Sequence, residues 1–508
     1  MDVKKYVQIG MIGTGSMGGM MSLLFAEHGI HTHYYDPSKK NVEALQSHAK
    51  ESKHEDKITY HGDHKSLCEA LEDGDNPKVF MFSIPHGGAA DDSIDALEPY
   101  LKPGDIIMDA SNEHWKATER RQGRLEPKGI HYIGMGVSGG YQSARHGPSI
   151  SPGGNKEALD KVFPFLQKIA CKDTKGRPCV AKLGPGGCGH YVKMIHNGIE
   201  HGMMTALCEA WAIMNIGLGM EYEEIGAVFE KWNGDKEKPL RDNFLINIGA
   251  DICRTKDEKG NYVLANVRDK VVQDVDNSEG TGTWSVQEGT RLHVPDPTIA
   301  VSHLFRVASA DAARRQTVKK ALEGKGVKPA RMEGVDKDKF MDDLYNAVYA
   351  SFLMCFIQGL HVLSKANEEN DWKLDFADVL QLWRKGCIIQ SDGVVDLLET
   401  VYRSREHNND DLLGHKMIAG ELAKTYPALK RVVLKAIEFD LHAGALGTSL
   451  EYYKYSGSTE LPTQFQEAEL DYFGAHMFDL KTAQPGKPVT GDHHFEWKPA
   501  KGILETDD

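Results

Sequence analysis

Over the first third of the chain, short apolar runs alternate with stretches in which apolar residues return every three or four positions. The runs at 6–13, 31–36, 79–84, 106–109 and 131–136 predict buried strands, and 16–28 and 89–97 predict crossover helices between them. Strand and helix in alternation predict a parallel, doubly wound α/β sheet. The pattern changes at the glycine-rich GPGGCG, residues 184–189. From His190 to about Tyr455 the apolar positions recur mainly at helical spacing, as in Ile195, Ile199, Met203 and Leu207, then Leu344, Val348, Phe352 and Phe356. A large all-α domain is predicted there. Beyond Tyr455 glycine and proline punctuate the chain, which predicts an extended tail lying on another surface. The expected division is 1–186, 187–456 and 457–508.

The length of 508 residues accommodates these parts, and 40% hydrophobic with 26% charged residues suits a globular protein. Sixty Lys and Arg against 74 Asp and Glu leave a net charge of -14, which argues against nucleic-acid or anionic-membrane partners but spares one local basic pocket. Eight cysteines without a CxxC spacing predict neither a disulfide framework nor a zinc site, and no metal is expected. The start of the sequence runs straight into a strand, and no apolar run reaches the roughly 18–20 residues of a membrane span, so a cytoplasmic location is expected.

Three motifs carry chemistry. Gly13-Thr14-Gly15-Ser16-Met17-Gly18 follows the first strand and opens the first helix. Gly13 makes the tight turn, Gly15 lets backbone approach a pyrophosphate, and Gly18 lets helix and strand pack closely; the alternative is an ordinary βα turn. Asp36 ends the second strand about 20 residues on, where a carboxylate accepts from ribose hydroxyls and repels a 2′-phosphate. NAD is thereby favoured, although Lys39 and Lys40 follow closely.

The second motif, HYVKMIHNGIE at 190–200, puts Lys193, Asn197 and Glu200 at i, i+4 and i+7 of one helix, with His196 beside them. One stripe then combines a base, an amide and a carboxyl; the bland reading is a solvated Lys/Glu edge. The apolar opposite face and the adjoining glycine loop favour a pocket at a domain junction. In the third, GVSGG at 136–140 and the small residues through Pro152-Gly-Gly154 leave backbone N–H groups accessible to a carboxylate or carboxamide, or are irregular turns.

Taken together, GxGxxG, DASNE at 109–113, GVSGG, ARHGPSISPGGNKEA, GHYVKMIHNGIEHG, GTGTW at 280–284, WRKGCIIQS at 383–391 and DYFGAH at 471–476 resemble the 6-phosphogluconate dehydrogenase family of the 3-hydroxyacid dehydrogenase superfamily. The resemblance implies an α/β N-terminal Rossmann domain, a large all-α domain, and a homodimer whose C-terminal tails complete composite sites. It also implies metal-free oxidative decarboxylation, with Lys193 as the base toward the 3-hydroxyl, Glu200 as the acid toward the enediol carbon, and Asn197 beside them. A lysine base needs its pKa lowered from about 10.4 to roughly 7–8. By the same resemblance Asn112, Ser138, Gly139, Gly140, His196 and Asn197 hold the substrate's carboxylate and hydroxyls, with His476 arriving from the partner's tail. Gly13, Gly15, Ser16, Met17, Gly18, Asp36, Ser38, Ile84 and Asn112 fall at the cofactor.

The departures concern the distal, phosphate-binding end. His201 stands where the family has tyrosine, Glu279 where it has lysine, and Leu470 where it has arginine, while Thr281 and Arg306 are kept. Charge-assisted hydrogen bonds are worth roughly 1.5–3 kcal/mol each, so these exchanges weaken phosphate binding by several kcal/mol. Altered distal-group specificity is therefore expected, against the alternatives of a 6-phosphogluconate dehydrogenase with rebuilt phosphate contacts or a cofactor-binding regulator without turnover. Asp36-Pro37-Ser38 also replaces the family's Asn-Arg-Thr, and the missing arginine again favours NAD, with NADP possible.

Overall fold

The computed structural model describes residues 7–276, 280–323, 325, 327–404, 411–484 and 491–498. The chain divides into two compact units, Met1–Leu450 and Glu451–Asp508.

The first unit begins with a seven-stranded sheet: β1 (Gln8–Ile12), β2 (His31–Tyr35), β3 (Ile58–Tyr60), β4 (Val79–Phe82), β5 (Ile106–Asp109), β6 (His131–Ser138) and β7 (Ser149–Gly153). Its order is β3-β2-β1-β4-β5-β6-β7, parallel except for the antiparallel pair β6-β7. The interleaved helices are α1 (Ser16–Glu27), α2 (Lys39–Glu51), α3 (His64–Ala70), α4 (Gly88–Leu97), α5 (Trp115–Leu125), α6 (Gly140–His146) and α7 (Lys156–Ile169). Alternation along the strands builds a core on each face. In β4, Val79 and Met81 join Phe25 of α1 and Val162 of α7, whereas Phe80 and Phe82 join Leu67 of α3 and Ile94 of α4. Strand order reverses between β1 and β4, and doubly wound sheets bind ligands beyond the carboxyl ends of the strands at such a reversal.

The five expected strands are present with shifted ends, and two more exist. β3 has three residues at the sheet edge, and β7 is the small-residue segment read as possible irregular turns. Its Pro152 is tolerated because β7 is an edge strand.

The helical part runs through α8 (Cys188–Ala212), α9 (Tyr222–Gly234), α10 (Phe244–Arg254), α11 (Thr281–Arg291), α12 (Pro297–Ala310), α13 (Ala312–Ala321), α14 (Lys337–Asn370), α15 (Phe376–Leu382), α16 (Asp392–Arg403), α17 (Lys416–Glu438) and α18 (Gly444–Ser456). By length and composition α14 is apolar enough to cross a membrane, contrary to the sequence expectation, but 89% of its apolar window is buried in the protein. It is the core helix on which α8, α12 and α17 pack.

The catalytic candidates lie on α8, whose first turns press onto the sheet. A Cβ on Gly189 would lie 2.2 Å from Gly134 O, and one on Gly136 would lie 2.2 Å from Lys193 Cβ. Glycine at both positions is what lets Lys193 sit directly over β6. Deeper in the helical part, Asp296 at the start of α12 is buried with Oδ2 lacking a hydrogen-bond partner, and burial pushes its carboxyl up to about 7. A folded-state pKa above the unfolded value costs stability as pH rises from about 4 toward 7. Urea denaturation should therefore show Asp296→Asn stabilised at pH 8 and close to the parent at pH 4; equal behaviour at both pH values contradicts this.

The second unit holds α19 (Thr463–Gly474) and the segment that follows it. Asp471 is its hub, accepting from Met477 N (3.0 Å), His494 Nδ1 (2.9 Å), Phe495 N (3.1 Å) and Trp497 Nε1 (2.8 Å).

Candidate active site

The glycine turn after β1 has the form a dinucleotide needs. Gly13 has φ +86°, and a Cβ there would lie 2.3 Å from Ser83 O after β4; a Cβ on Gly18 would lie 2.1 Å from Gly13 O. Gly15 has nothing within 4 Å of its Cβ position, so the backbone is open to a pyrophosphate at the start of α1, beside Ser16 and Met17. Ile84 borders the same turn, 2.8 Å from the Cβ position of Gly13. These residues fit a nicotinamide dinucleotide.

Asp36 also has a structural job. It is buried, and its Oδ2 accepts from Thr14 N (2.6 Å), Thr14 Oγ1 (3.1 Å) and Asn41 Nδ2 (3.1 Å), while Oδ1 accepts from Ser38 N (2.8 Å). The carboxylate fastens the glycine turn to the start of α2, and Oδ1 alone retains capacity for a ribose hydroxyl.

Lys193, His196, Asn197 and Glu200 form one connected row on α8. Lys193 Nζ donates to Asn197 Oδ1 (2.5 Å), His196 Nδ1 lies 3.0 Å from the same oxygen, and Asn197 Nδ2 donates to Thr281 Oγ1 at the start of α11 (2.8 Å). His196 Nδ1 is also 3.7 Å from Glu200 Oε2. Lys193 is 8% exposed and Asn197 9%, which excludes the solvated-edge reading. Burial, then Lys193, holds the His196 imidazole well below its ordinary pKa, so it is neutral. With Nδ1–H toward Asn197, its unpartnered Nε2 is an acceptor for a substrate hydroxyl.

Two loops bring the remaining groups. Ser138 ends β6, and Gly139 (φ +107°) and Gly140 (φ +66°) turn the chain into α6. A Cβ on Gly139 would lie 2.3 Å from Gly386 O, and that same carbonyl accepts from Ser149 N (3.0 Å), so the WRKGCIIQS segment closes over this loop. Asn112 follows β5, whose last residue is tied to α8: His190 Nε2 lies 3.0 Å from Asp109 O, and Thr118 Oγ1 is 2.7 Å from His190 Nδ1.

Sequence reasoning missed the brace behind Asn112. Arg121, fully buried, donates to Glu113 Oε2 (2.7 Å), Gly87 O (2.8 Å) and both oxygens of Asp91 (3.2 and 3.1 Å). Glu113 also accepts from Gly87 N (2.9 Å), so the loops after β4 and β5 are one assembly. From these loops His86 and His114 pack edge-on against Trp284 of α11, with ring centroids 5.2 and 5.0 Å away.

At the distal end, His201 and His303 stack with centroids 5.8 Å apart, both against Gly282. Arg306 Nε donates to Asp274 Oδ2 (2.6 Å), and Thr283 Oγ1 lies 3.2 Å from His303 Nε2. Glu279 lies outside the described residues. His476 belongs to the second unit.

Known proteins match this chain along almost its whole length. The model of the NAD binding domain of 6-phosphogluconate dehydrogenase matches residues 8–184, and that of the 6-phosphogluconate dehydrogenase C-terminal domain matches 189–497. The decarboxylating 6-phosphogluconate dehydrogenase of Emericella nidulans is 45% identical over 96% of this chain and 100% of its own, and that of Schizosaccharomyces pombe 35% identical over 98% and 97%. The Plasmodium falciparum 6-phosphogluconate dehydrogenase structure, described with NADP+ and with 6-phosphogluconate, superposes with a TM-score of 0.85 at 31% identity, covering 96% of this chain and 100% of that one. The glycine turn at the strand-order reversal, the buried row on α8 and these full-length matches together place the chain in the 6-phosphogluconate dehydrogenase family.

Proposed function

We propose that this chain catalyses the oxidative decarboxylation of a 3-hydroxy, aldonic-type acid, with altered recognition of the substrate's distal group. The buried Lys193–Asn197–Thr281 chain with Glu200 at its side carries the reading. A nicotinamide dinucleotide, held by Gly13, Gly15, Ser16, Met17 and Gly18 with Ser38, Ile84 and Asn112 at its edges, supplies the hydride acceptor. Neutral Lys193 takes the proton from the 3-hydroxyl, and Asn197 holds its Nζ in place for that transfer. Ser138, Gly139 and Gly140 hold the carboxylate that departs as CO2, and His196 Nε2 accepts from a neighbouring hydroxyl. Glu200 then protonates the enediol carbon.

NAD is the proposed cofactor, because Asp36 ends the second strand and Pro37 offers no cation for a 2′-phosphate. The proposed assembly is a homodimer whose composite sites receive His476 from the partner's tail. Exposed apolar side chains Leu304 (60%), Val267 (64%) and Val272 (63%) favour a covered face. The three-part division at 186 and 456 and a cytoplasmic location, which suits eight free thiols, belong to the same reading. Steady-state assays of gluconate and 6-phosphogluconate with NAD and with NADP test it. Reduction of NAD with the higher kcat/KM is expected; a large NADP preference refutes the cofactor assignment, and a strong preference for 6-phosphogluconate at every pH refutes the altered distal end.

A further inference from the structure

Two free thiols, Cys171 and Cys179, face each other across a hairpin that the reaction at Lys193 does not use. Between α7 and α8 the chain folds back on itself: Lys172 pairs with Pro178 in antiparallel register, Cys179 N donates to Cys171 O (2.8 Å) and Asp173 N to Arg177 O (2.9 Å). That register sets Cys171 directly opposite Cys179, with both side chains on one face. The Asp173 carboxylate closes the turn, accepting from Lys175 N (2.9 Å), Arg177 N (2.8 Å) and Arg177 Nε (2.9 Å), which holds the register. Directly opposite antiparallel residues have Cα atoms about 4.5–5.5 Å apart, inside the roughly 4.4–6.8 Å that a disulfide spans.

Cys171 is also wedged between the two segments that enclose the GVSGG loop. On one side its N donates to Pro148 O (3.1 Å), and a Cβ on Gly147 would lie 2.9 Å from its Cα. On the other its Sγ donates to Lys385 O (2.9 Å), and a Cβ on Gly386 would lie 2.5 Å from that sulfur. Gly386 O is the atom that accepts from Ser149 N and lies against Gly139. The thiol hydrogen thus pins the hairpin to the segment 383–391. Cys179 is fully buried and Cys171 half-buried, so an oxidant meets Cys171 first. The neighbouring Cys179 thiol, then burial, pushes the Cys171 thiol well up, against the exposed Lys385 ammonium. Its thiolate is therefore scarce, and exchange answers sustained oxidation rather than brief pulses.

We propose that Cys171 and Cys179 form a reversible disulfide, with a low-molecular-weight disulfide such as oxidised glutathione as the oxidant, and that it loosens the cover over Gly139 and Gly140. The effect on substrate rests on the reading above, in which this loop holds the carboxylate. The Cys171 thiolate attacks one sulfur of oxidised glutathione and a glutathione thiolate leaves; the Cys179 thiolate then attacks the mixed disulfide and expels the second. The two protein thiols lose two electrons and two protons, which end on two reduced glutathiones. The Cys171 sulfur, drawn toward Cys179 and without its hydrogen, no longer donates to Lys385 O. Reduced thiols are the resting state, and the bridge is a transient, regulatory one.

The test incubates the full chain with oxidised glutathione, blocks remaining thiols and maps cross-linked peptides by mass. A Cys171–Cys179 cross-link, lighter than the free thiols by two hydrogens, is expected. With it, KM for the better of gluconate and 6-phosphogluconate rises roughly 2–10-fold, the worth of one ordinary hydrogen bond, and dithiothreitol reverses the change. Hydrogen exchange at Ser149 N, whose acceptor is Gly386 O, speeds up in parallel. Cys171→Ser, which keeps a donor toward Lys385 O, shows one KM with and without oxidised glutathione. No cross-link, a cross-link to Cys387 in its place, or a cross-link with KM and Ser149 exchange unchanged overturns the proposal. Absence of turnover of either acid by the reduced protein refutes instead the aldonate reading, and the cross-link with the Ser149 exchange then decides the switch.

Discussion

Replacing Lys193 with alanine lowers kcat by about 10²–10⁴-fold, the range a positioned general base contributes. The loss falls on kcat more than on KM, because the proposed role of Nζ is proton transfer at the reacting hydroxyl and not binding of the rest of the substrate. The fold survives, since within the protein Nζ is bonded to Asn197 and the lysine stem lies over Gly136. Lys193→Arg gives no rescue: guanidinium keeps the charge and cannot act as a base near neutral pH. A variant that keeps near-native kcat with a cooperative unfolding transition contradicts the role assigned to this lysine.

The second large effect is expected away from the chemistry, at Arg121. Its guanidinium is fully buried among Asp91, Glu113 and Gly87 O, with Asp109 at 3.8 Å. Removing one partner of a buried ion pair costs about 3–5 kcal/mol, because the other is left charged and unpaired. Arg121→Ala strands the carboxylates of Glu113 and Asp109, both almost wholly inaccessible, and releases the loops that carry Asn112 and follow Ile84. Urea denaturation should show that loss, and the dinucleotide's Kd should rise with it. Arg121→Lys recovers little of either, since one ammonium cannot span Glu113, Asp91 and Gly87 O together. A loss below about 1 kcal/mol with unchanged cofactor affinity would show that Arg121 does not brace these loops.

How far the sequence reaches depends on whether the cause is local. The turn at Gly13 is legible because one backbone conformation and one close approach demand glycine there, and the adjacent apolar run fixes the strand. The row on α8 is legible because helical spacing alone aligns Lys193, Asn197 and Glu200. β7 is not, because Ser149–Gly153 has no strand-like composition and is held by its ladder to β6. The second role of Asp36 is hidden because the Thr14 donors lie 22 residues away in the chain. Arg121 reads as a surface arginine of an amphipathic helix until β4 and β5 bring Gly87 and Glu113 beneath it. His303 carries no motif, and Gly282, the flat floor it shares with His201, becomes visible once α8, α11 and α12 are packed.

In the proposed reaction Lys193 and Glu200 serve a decarboxylating oxidation and not a simple dehydrogenation. Supplying an aldonate labelled with ¹³C at C1 and counting ¹³CO2 against reduced nicotinamide separates the two. One ¹³CO2 is expected for each reduced nicotinamide, with both lost together in Lys193→Ala. Reduced nicotinamide formed while the label stays in the acid would contradict it.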